Sequence, residues 1–409
     1  MAIVDEADVQ RRLTKLADEL AGSGDLRSPE WRQAFLAVRR HVFVPRYWHD
    51  EEPGAFPARW RMVDNATRDH HEWVDAVYSN RTLATDLTGT PVVTGEGMHP
   101  QVTSSTTMPG LVMAMLEDLD VADGMRVLEI GTGTGYNAAL LCERVGDSNV
   151  ASIDVDPELT ALAGIRLARH GYRPHMVAGD GAAGVPECAP FDRIIATCGM
   201  DHVPQSWIEQ CRDGGKIMTN LPGPFNAWPL ILLTVSEGSA SGTFLRQSGS
   251  FMPRRTDPDQ PFDYTVDIRR DATDAVHGHS RLDPRQAYEN RSWGLVAQTH
   301  LRGVACRRVY VDDNEHLGTE LATADGSSWA VIHHTPDGHG HLTCQSGARQ
   351  LWTELEELHE QWIALERPAV DRFGLTVTGD GETVLWLDHP GSGRTGGQAA
   401  LGLDSREAG

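Results

Sequence analysis

Val127-Leu128-Glu129-Ile130-Gly131-Thr132-Gly133-Thr134-Gly135-Tyr136 is the stretch whose reading decides the fold of this chain. An apolar segment broken by a single acid runs into glycines at alternate positions, and Ala138 to Cys142 beyond them suit a helix. Glycine lets the backbone turn sharply and bring its amides close to a ligand, so a strand, turn and helix around a nucleotide-like molecule are predicted. Further along, 150–153, 174–177, 193–197, 216–220 and 230–235 read as strands, with helical stretches around 157–170 and 203–211 between them. Such alternation predicts a parallel α/β sheet with helices on both faces.

The acids around this turn narrow the ligand. The spacing is G-x-G-x-G, not the dinucleotide pattern G-x-G-x-x-G, and Glu129 stands two residues before the first glycine. Asp154, followed by Val155, ends the next strand, where a carboxylate usually holds a ribose diol. Asp180 sits in Gly179-Asp180-Gly181 at the end of the third strand. Three acids at successive strand ends repel a pyrophosphate but attract a cation. S-adenosylmethionine, with a sulfonium, an α-ammonium group and no phosphate, fits that sign. The candidate cofactor residues are therefore Glu129, Gly131, Thr132, Gly133, Gly135, Asp154, Val155, Asp180 and Gly181. A glycine-rich turn taken alone fits a purely structural role equally well.

Outward from this region, 409 residues with 40% apolar and 23% charged content allow two or three domains with sizeable cores. Thirty-six basic side chains against 58 acidic ones leave a net charge of −22, which argues against nucleic-acid binding. No run of about 18 apolar residues occurs, and the first 25 residues are charged and helical in pattern, so a cytoplasmic location is expected. Six cysteines show no metal-ligand spacing and are too sparse for a disulfide scaffold. Histidines 70, 71, 333, 334, 339 and 341 lack the H-E-x-x-H spacing or cysteine partners of a metal site, so no metal is expected.

Val9, Leu13, Leu16 and Leu20 mark a first helix, and Ser28-Pro29 a cap opening a second one that Pro45 closes. Residues 46–75 read as an irregular insertion whose tryptophans, 48, 60 and 73, either pin a long loop to the core or form a lid. Beyond about 255 a separate, mostly β region begins. It carries one amphipathic helix through Leu351, Leu355, Leu358, Trp362 and Leu365, and a hairpin over 373–387. The expected divisions are N-terminal helices with the 46–75 insertion over 1–95, a cofactor domain over 96–255, a C-terminal α+β domain over 256–390, and a flexible tail over 391–409.

The run from Arg126 through Leu141 resembles the cofactor motif of protein-L-isoaspartate O-methyltransferases. Gly179-Asp180-Gly181, Phe191 to Thr197 and Asp213-Gly214-Gly215-Lys216 resemble that family's later motifs in order. Ala37-Val38-Arg39-Arg40, Phe43-Val44-Pro45, Tyr78 and Asn80-Arg81 are similar to its N-terminal region. The resemblance implies a Rossmann-like S-adenosylmethionine-dependent methyltransferase. It also implies a substrate motif in Gln101-Val102-Thr103-Ser104-Ser105-Thr106-Thr107-Met108, matched at Gln101, Ser104 and Met108, with Thr106 where the family has proline. By resemblance Ser104 belongs at the methyl-transfer centre, while Gln101, Thr103, Ser105 and Thr106 hold the substrate. Capping preferences alone allow the same polar run to be a helix N-cap cluster.

The family esterifies a carboxylate that is already ionised at neutral pH, so alignment and exclusion of water matter more than a general base. The insertion, the replaced proline and the additional C-terminal residues resemble extended relatives that tailor ribosomally made peptides in graspetide and lanthipeptide systems. These features set three expectations. First comes aspartyl O-methylation in a macrocyclic precursor peptide, leading to aspartimide or isoaspartate. The second is isoaspartyl repair, and the third a non-catalytic peptide-binding scaffold. The C-terminal domain either grips the peptide or serves passive packing. Arg61, Arg68 and Arg81 are candidates for the positive rim an anionic substrate needs.

Overall fold

The computed structural model describes residues 5–52, 59–66, 70–87, 92–94, 97–99, 102–225, 227–258, 275–301, 303–310 and 317–390. Gln101, Arg68 and the expected tail 391–409 lie outside the described residues. The chain forms two compact units. The first comprises 1–219, 234–238 and 252–262; the second comprises 220–233, 239–251 and 263–409.

The first unit opens with α1 (Glu6–Ser23), capped by the Asp5 side chain and ended by left-handed Gly24. In α2 (Pro29–Ala37) the Ser28 hydroxyl accepts from the Trp31 amide, as the Ser-Pro signal predicts. Then come α3 (Arg40–Phe43), β1 (Arg46–Asp50), β2 (Trp60–Asp64), α4 (His70–Val77) and β3 (Leu83–Asp86). Next are the short pair β4 (Val92–Thr94) and β5 (Gly97–His99), β6 (Ser104–Thr106) and α5 (Pro109–Asp118). The cofactor-type layers are β7 (Val127–Ile130), α6 (Tyr136–Val145), β8 (Val150–Asp154), α7 (Pro157–Arg169) and β9 (His175–Ala178). They continue with β10 (Phe191–Gly199), α8 (Gln205–Gln210) and β11 (Cys211–Asn220).

Within this unit the main strands lie in the order β11-β10-β7-β8-β9. β10, β7, β8 and β9 are mutually parallel, with Glu129 between Ile195 and Ser152 in register. The chain steps outward from β7 to β9 and then returns to the other side of β7. This reversal puts a topological switch point at the carboxyl end of β7, where open α/β sheets bind ligands. All four residues of β7 are buried, which is why the strand reads as a nearly unbroken apolar run.

A smaller antiparallel sheet corrects the expectation of an irregular 46–75. Its order is β2-β1-β3-β6, with Arg46 opposite Asp64, Trp48 opposite Met62 and Ala84, and Leu83 opposite Thr106. β1 and β2 each bury one residue, Tyr47 and Val63, so no two-residue alternation was present to be read. Trp73 is buried and donates from Nε1 to the Val44 carbonyl, a pinning role.

The second unit holds β12 (Pro229–Ser236) as far as Leu233, β13 (Ser239–Ser248), β14 (Val276–Ser280), α9 (Gln286–Glu289) and α10 (Arg291–His300). It continues with β15 (Val304–Tyr310), β16 (Leu317–Thr323), β17 (Trp329–Asp337), β18 (Gly340–Ser346), α11 (Leu351–Ala364), β19 (Phe373–Val377) and β20 (Thr383–Leu387). One sheet runs β14-β18-β17-β16-β15, against which α11 packs. Trp293 of α10 meets His359 of α11 edge-on at 4.9 Å between ring centroids. The expected division near 255 differs from the observed one because β13 pairs antiparallel with β19, Gly242 opposite Leu375. That pairing joins strands 130 residues apart, which local pattern does not reveal.

Candidate active site

The turn after β7 takes positive φ at Gly131, Gly133 and Gly135, at 91°, 51° and 86°. At Gly133 the freedom has a second use, because a Cβ there would lie 3.7 Å from the Ser105 carbonyl oxygen and 3.9 Å from Ser104 Oγ. The turn and the polar strand β6 thus face each other across a narrow space. Gly133 donates its amide to Asp154 Oδ2 at 2.8 Å, and Asp156 donates to Oδ1 at 3.1 Å. Burial raises the Asp154 carboxyl above its usual range, and these two amides oppose that rise. Val155 is partly exposed beside it.

The remaining cofactor candidates divide. Glu129 is 0% exposed, and its oxygens accept from Asn137 Nδ2 at 2.8 Å and Ser152 Oγ at 2.5 Å. Ser152 in turn meets Thr132 Oγ1 at 2.6 Å. Glu129 and Thr132 therefore belong to a buried network that braces the turn from beneath. Burial pushes the Glu129 carboxyl up to about 7, against the bonds from Ser152 and Asn137. At Gly181 a Cβ would meet Ile130 Cγ2 at 2.4 Å, so its lack of a side chain serves packing. Asp180 caps the short 3-10 turn that follows, accepting from the Ala182 amide at 3.0 Å. The rim as found carries the Asp154 and Asp180 carboxylates at successive strand ends, an arrangement suited to the hydroxyls of a nucleoside.

The substrate-type loop is a strand, and this removes the N-cap reading. Helix α5 is capped by Met108 without a side-chain bond, while Thr82 Oγ1 and Asn80 Oδ1 accept from the Met108 and Gly110 amides. Ser104 is 2% exposed, and its Oγ accepts from Thr85 Oγ1 at 2.9 Å, which leaves its own proton to donate. Thr103 is committed otherwise, with its Oγ1 on Asp86 Oδ2 at 3.0 Å and its amide on the Asp86 carbonyl at 3.1 Å. Ser105 is half-buried and Thr106 buried. Thr106 lies opposite Leu83, a pairing to which threonine brings the N–H that proline lacks.

Sequence reasoning passed over the residues that hold this loop in place. Arg40, 1% exposed, donates to the carbonyls of Val77 and Ser79 from Nη1 at 2.9 and 3.1 Å, and to those of Arg81 and Thr107 from Nη2, both at 3.1 Å. One guanidinium thus ties the end of α4 to the base of the Ser104 strand. Burial lowers its pKa to about 10, so it remains cationic at neutral pH. A lone arginine in a helical run carries no mark of burial, and only its membership in the Ala37–Arg40 motif pointed to it. Of the rim cations expected, Arg61 is paired with Glu51 and Glu72, and Arg81 is exposed. Among the described residues no helix is long and apolar enough to cross a membrane, and no group of three metal-ligating side chains is assembled.

Switch-point fold, strand-end carboxylates and facing hydroxyl strand suit an S-adenosylmethionine-dependent methyltransferase. Comparison with known proteins carries this further. The family model for protein-L-isoaspartate(D-aspartate) O-methyltransferase matches residues 72–224. The protein-L-isoaspartate O-methyltransferase of Thermococcus sibiricus is 30% identical over 258 residues, covering 61% of this chain and 96% of that protein. That of Hyperthermus butylicus is 32% identical over 224 residues, covering 52% and 76%. A solved structure titled protein-L-isoaspartate O-methyltransferase aligns with a TM-score of 0.51 at 22% identity, covering 92% of this chain and 99% of its own, a likeness of fold. The chain belongs to the protein-L-isoaspartate O-methyltransferase family and is a carboxyl O-methyltransferase acting on proteins or peptides.

Proposed function

We propose that this enzyme methylates the free carboxylate of isoaspartyl residues in proteins or peptides, with Ser104 at the transfer centre. The observation that carries the reading is the placement of Ser104 Oγ beside the Gly133 turn, its lone pair engaged by Thr85 and its proton free for a carboxylate oxygen. Bound S-adenosylmethionine supplies a methyl group on a sulfonium sulfur. Asp154, held by the Gly133 amide, would hold the cofactor beside the glycine turn, and the buried Glu129 network braces that turn. The attacking carboxylate is ionised at neutral pH and needs no base, so the chain's contribution is alignment and exclusion of water. Ser104 orients the carboxylate by a hydrogen bond without removing its charge.

A second reading, methylation of an ordinary aspartate in a ribosomally made, macrocyclic peptide, is favoured by one observation. The 46–75 insertion carries strands β1 and β2 of the sheet whose edge is the Ser104 strand, and Thr106 pairs with Leu83 in that sheet. An altered strand environment changes which backbone shapes reach Ser104. The second unit is common to both readings. Its presence does not separate the readings, since the solved structure bearing the family name spans nearly the same length.

Incubation with labelled S-adenosylmethionine and three matched peptides tests both: linear isoaspartyl, linear aspartyl, and aspartyl within a macrocycle. Label on the linear isoaspartyl peptide alone supports repair. Label on the macrocycle alone replaces it with tailoring, and no label on any peptide overturns both.

A further inference from the structure

After β13 the chain returns to the α/β unit for residues 252–262. Gly199, the last residue of β10, donates its amide to the Met252 carbonyl at 2.8 Å and accepts from the Arg254 amide at 2.7 Å, with Gly199 and Pro253 bridged in parallel fashion. Residues 252–255 therefore form a short strap at the carboxyl end of β10, on the switch-point side of the sheet.

Adjacent residues of an extended chain point to opposite sides, and here the two are arginines. Arg254 Nη1 reaches both oxygens of Asp180, at 2.7 and 2.9 Å, and its side chain is mostly buried. Arg255, 8% exposed, donates from Nη2 to the Thr103 carbonyl at 3.3 Å and from Nη1 to the Pro258 carbonyl. Its charge also acts on Asp154. One arginine thus grips an acid of the cofactor rim, and its neighbour grips the residue before Ser104. Both guanidinium groups are thus fixed by named partners at the acid and the strand of the expected site.

We propose that Arg254 and Arg255 are positioning residues for methyl transfer. Arg254 orients Asp180 for the cofactor, and Arg255 holds the Thr103–Ser104 strand at the distance that in-line transfer requires. The inference rests on the reading of Asp180 as a cofactor acid and Ser104 as the transfer centre. Five donors in a fixed fork suit guanidinium to this task, whereas lysine offers only a flexible point charge.

The test uses the full-length enzyme, calorimetric titration with S-adenosylmethionine and with S-adenosylhomocysteine, and single-turnover transfer to whichever peptide the wild type methylates. For Arg255→Met the transfer rate at saturating cofactor falls by about 10-fold or more, as a displaced reacting group dictates, while cofactor Kd stays within about 2-fold. Arg255→Lys recovers part of that rate. For Arg254→Met cofactor Kd rises about 5- to 10-fold, the loss of a charge-assisted contact from Nη1 to both Asp180 oxygens, with the saturated rate within about 2-fold. The lysine variants repeat the comparison if a methionine variant does not fold. Parallel loss of affinity and rate in both positions signals a merely structural strap and overturns the proposal. So does wild-type behaviour, or tighter cofactor binding in Arg254→Met. Failure of the wild type itself to bind the cofactor would overturn the underlying reading of the site instead.

Discussion

Replacing Glu129 by glutamine gives a pH-dependent change in stability whose sign is fixed by burial. The Glu129 carboxyl is raised from 4.5 to about 7, with desolvation as the largest cause and the nearby Asp154 charge adding to it. Below pH 4.5 the group is protonated in folded and unfolded chains alike, and its full contribution to stability is present. As pH rises through about 7 the unfolded chain has already ionised while the folded one resists, so stability is lost across that window. At about 1.4 kcal/mol per pH unit, the loss approaches about 3 kcal/mol. Glutamine stays neutral and can keep the network by donating to Ser152, which then donates to Thr132. The assay is urea unfolding of wild type and Glu129→Gln, followed by circular dichroism at intervals from pH 4.5 to 8. All other titrating groups are common to both proteins and cancel in the difference. The variant gains on the wild type as pH rises and is the more stable one at pH 8. A difference that stays flat between pH 5 and pH 8 refutes the reasoning.

The site also divides by role. Asp154→Ala is expected to raise cofactor Kd at least about 10-fold, as loss of a charge-assisted partner would, whereas Ser104→Ala lowers the transfer rate with cofactor affinity nearly intact; equal loss of affinity in both, by calorimetry, contradicts this. Arg40→Met strips four carbonyls of a buried donor and costs about 3 kcal/mol or more, read as a shifted urea midpoint, and a change under about 1 kcal/mol contradicts the role given to Arg40. Gly181→Ala drives a methyl into Ile130 and destabilises by about 1–3 kcal/mol, with a lower thermal midpoint; an unchanged midpoint would mean that this contact relaxes freely.

Where structure follows from neighbours along the chain, the sequence was legible. The Ser28-Pro29 cap, the left-handed glycines after β7 and the 351–364 helix are each set within a few residues by caps, backbone conformation and apolar spacing. The order of acids at strand ends was legible too, because parallel strands joined by helices must present their carboxyl ends on one edge. Less was readable where one buried residue per strand erases periodicity, as in β1 and β2, or where pairing spans more than a hundred residues, as between β13 and β19. The buried network of Thr132 and Glu129 was not legible either, because a motif records which residue types occur, not which way their side chains turn.

The amino-acid order by itself determined the α/β class, the glycine turn and the order of acids at the strand ends, since these depend on local backbone freedom and on position along the chain. Only the tertiary structure decided that Glu129 lies beneath the rim, that Ser104 faces Gly133, and that Arg40, Arg254 and Arg255 converge on the strand and the acid that matter. Those outcomes depend on burial and on hydrogen bonds between residues that are distant in sequence, and both come into being only when the chain is packed.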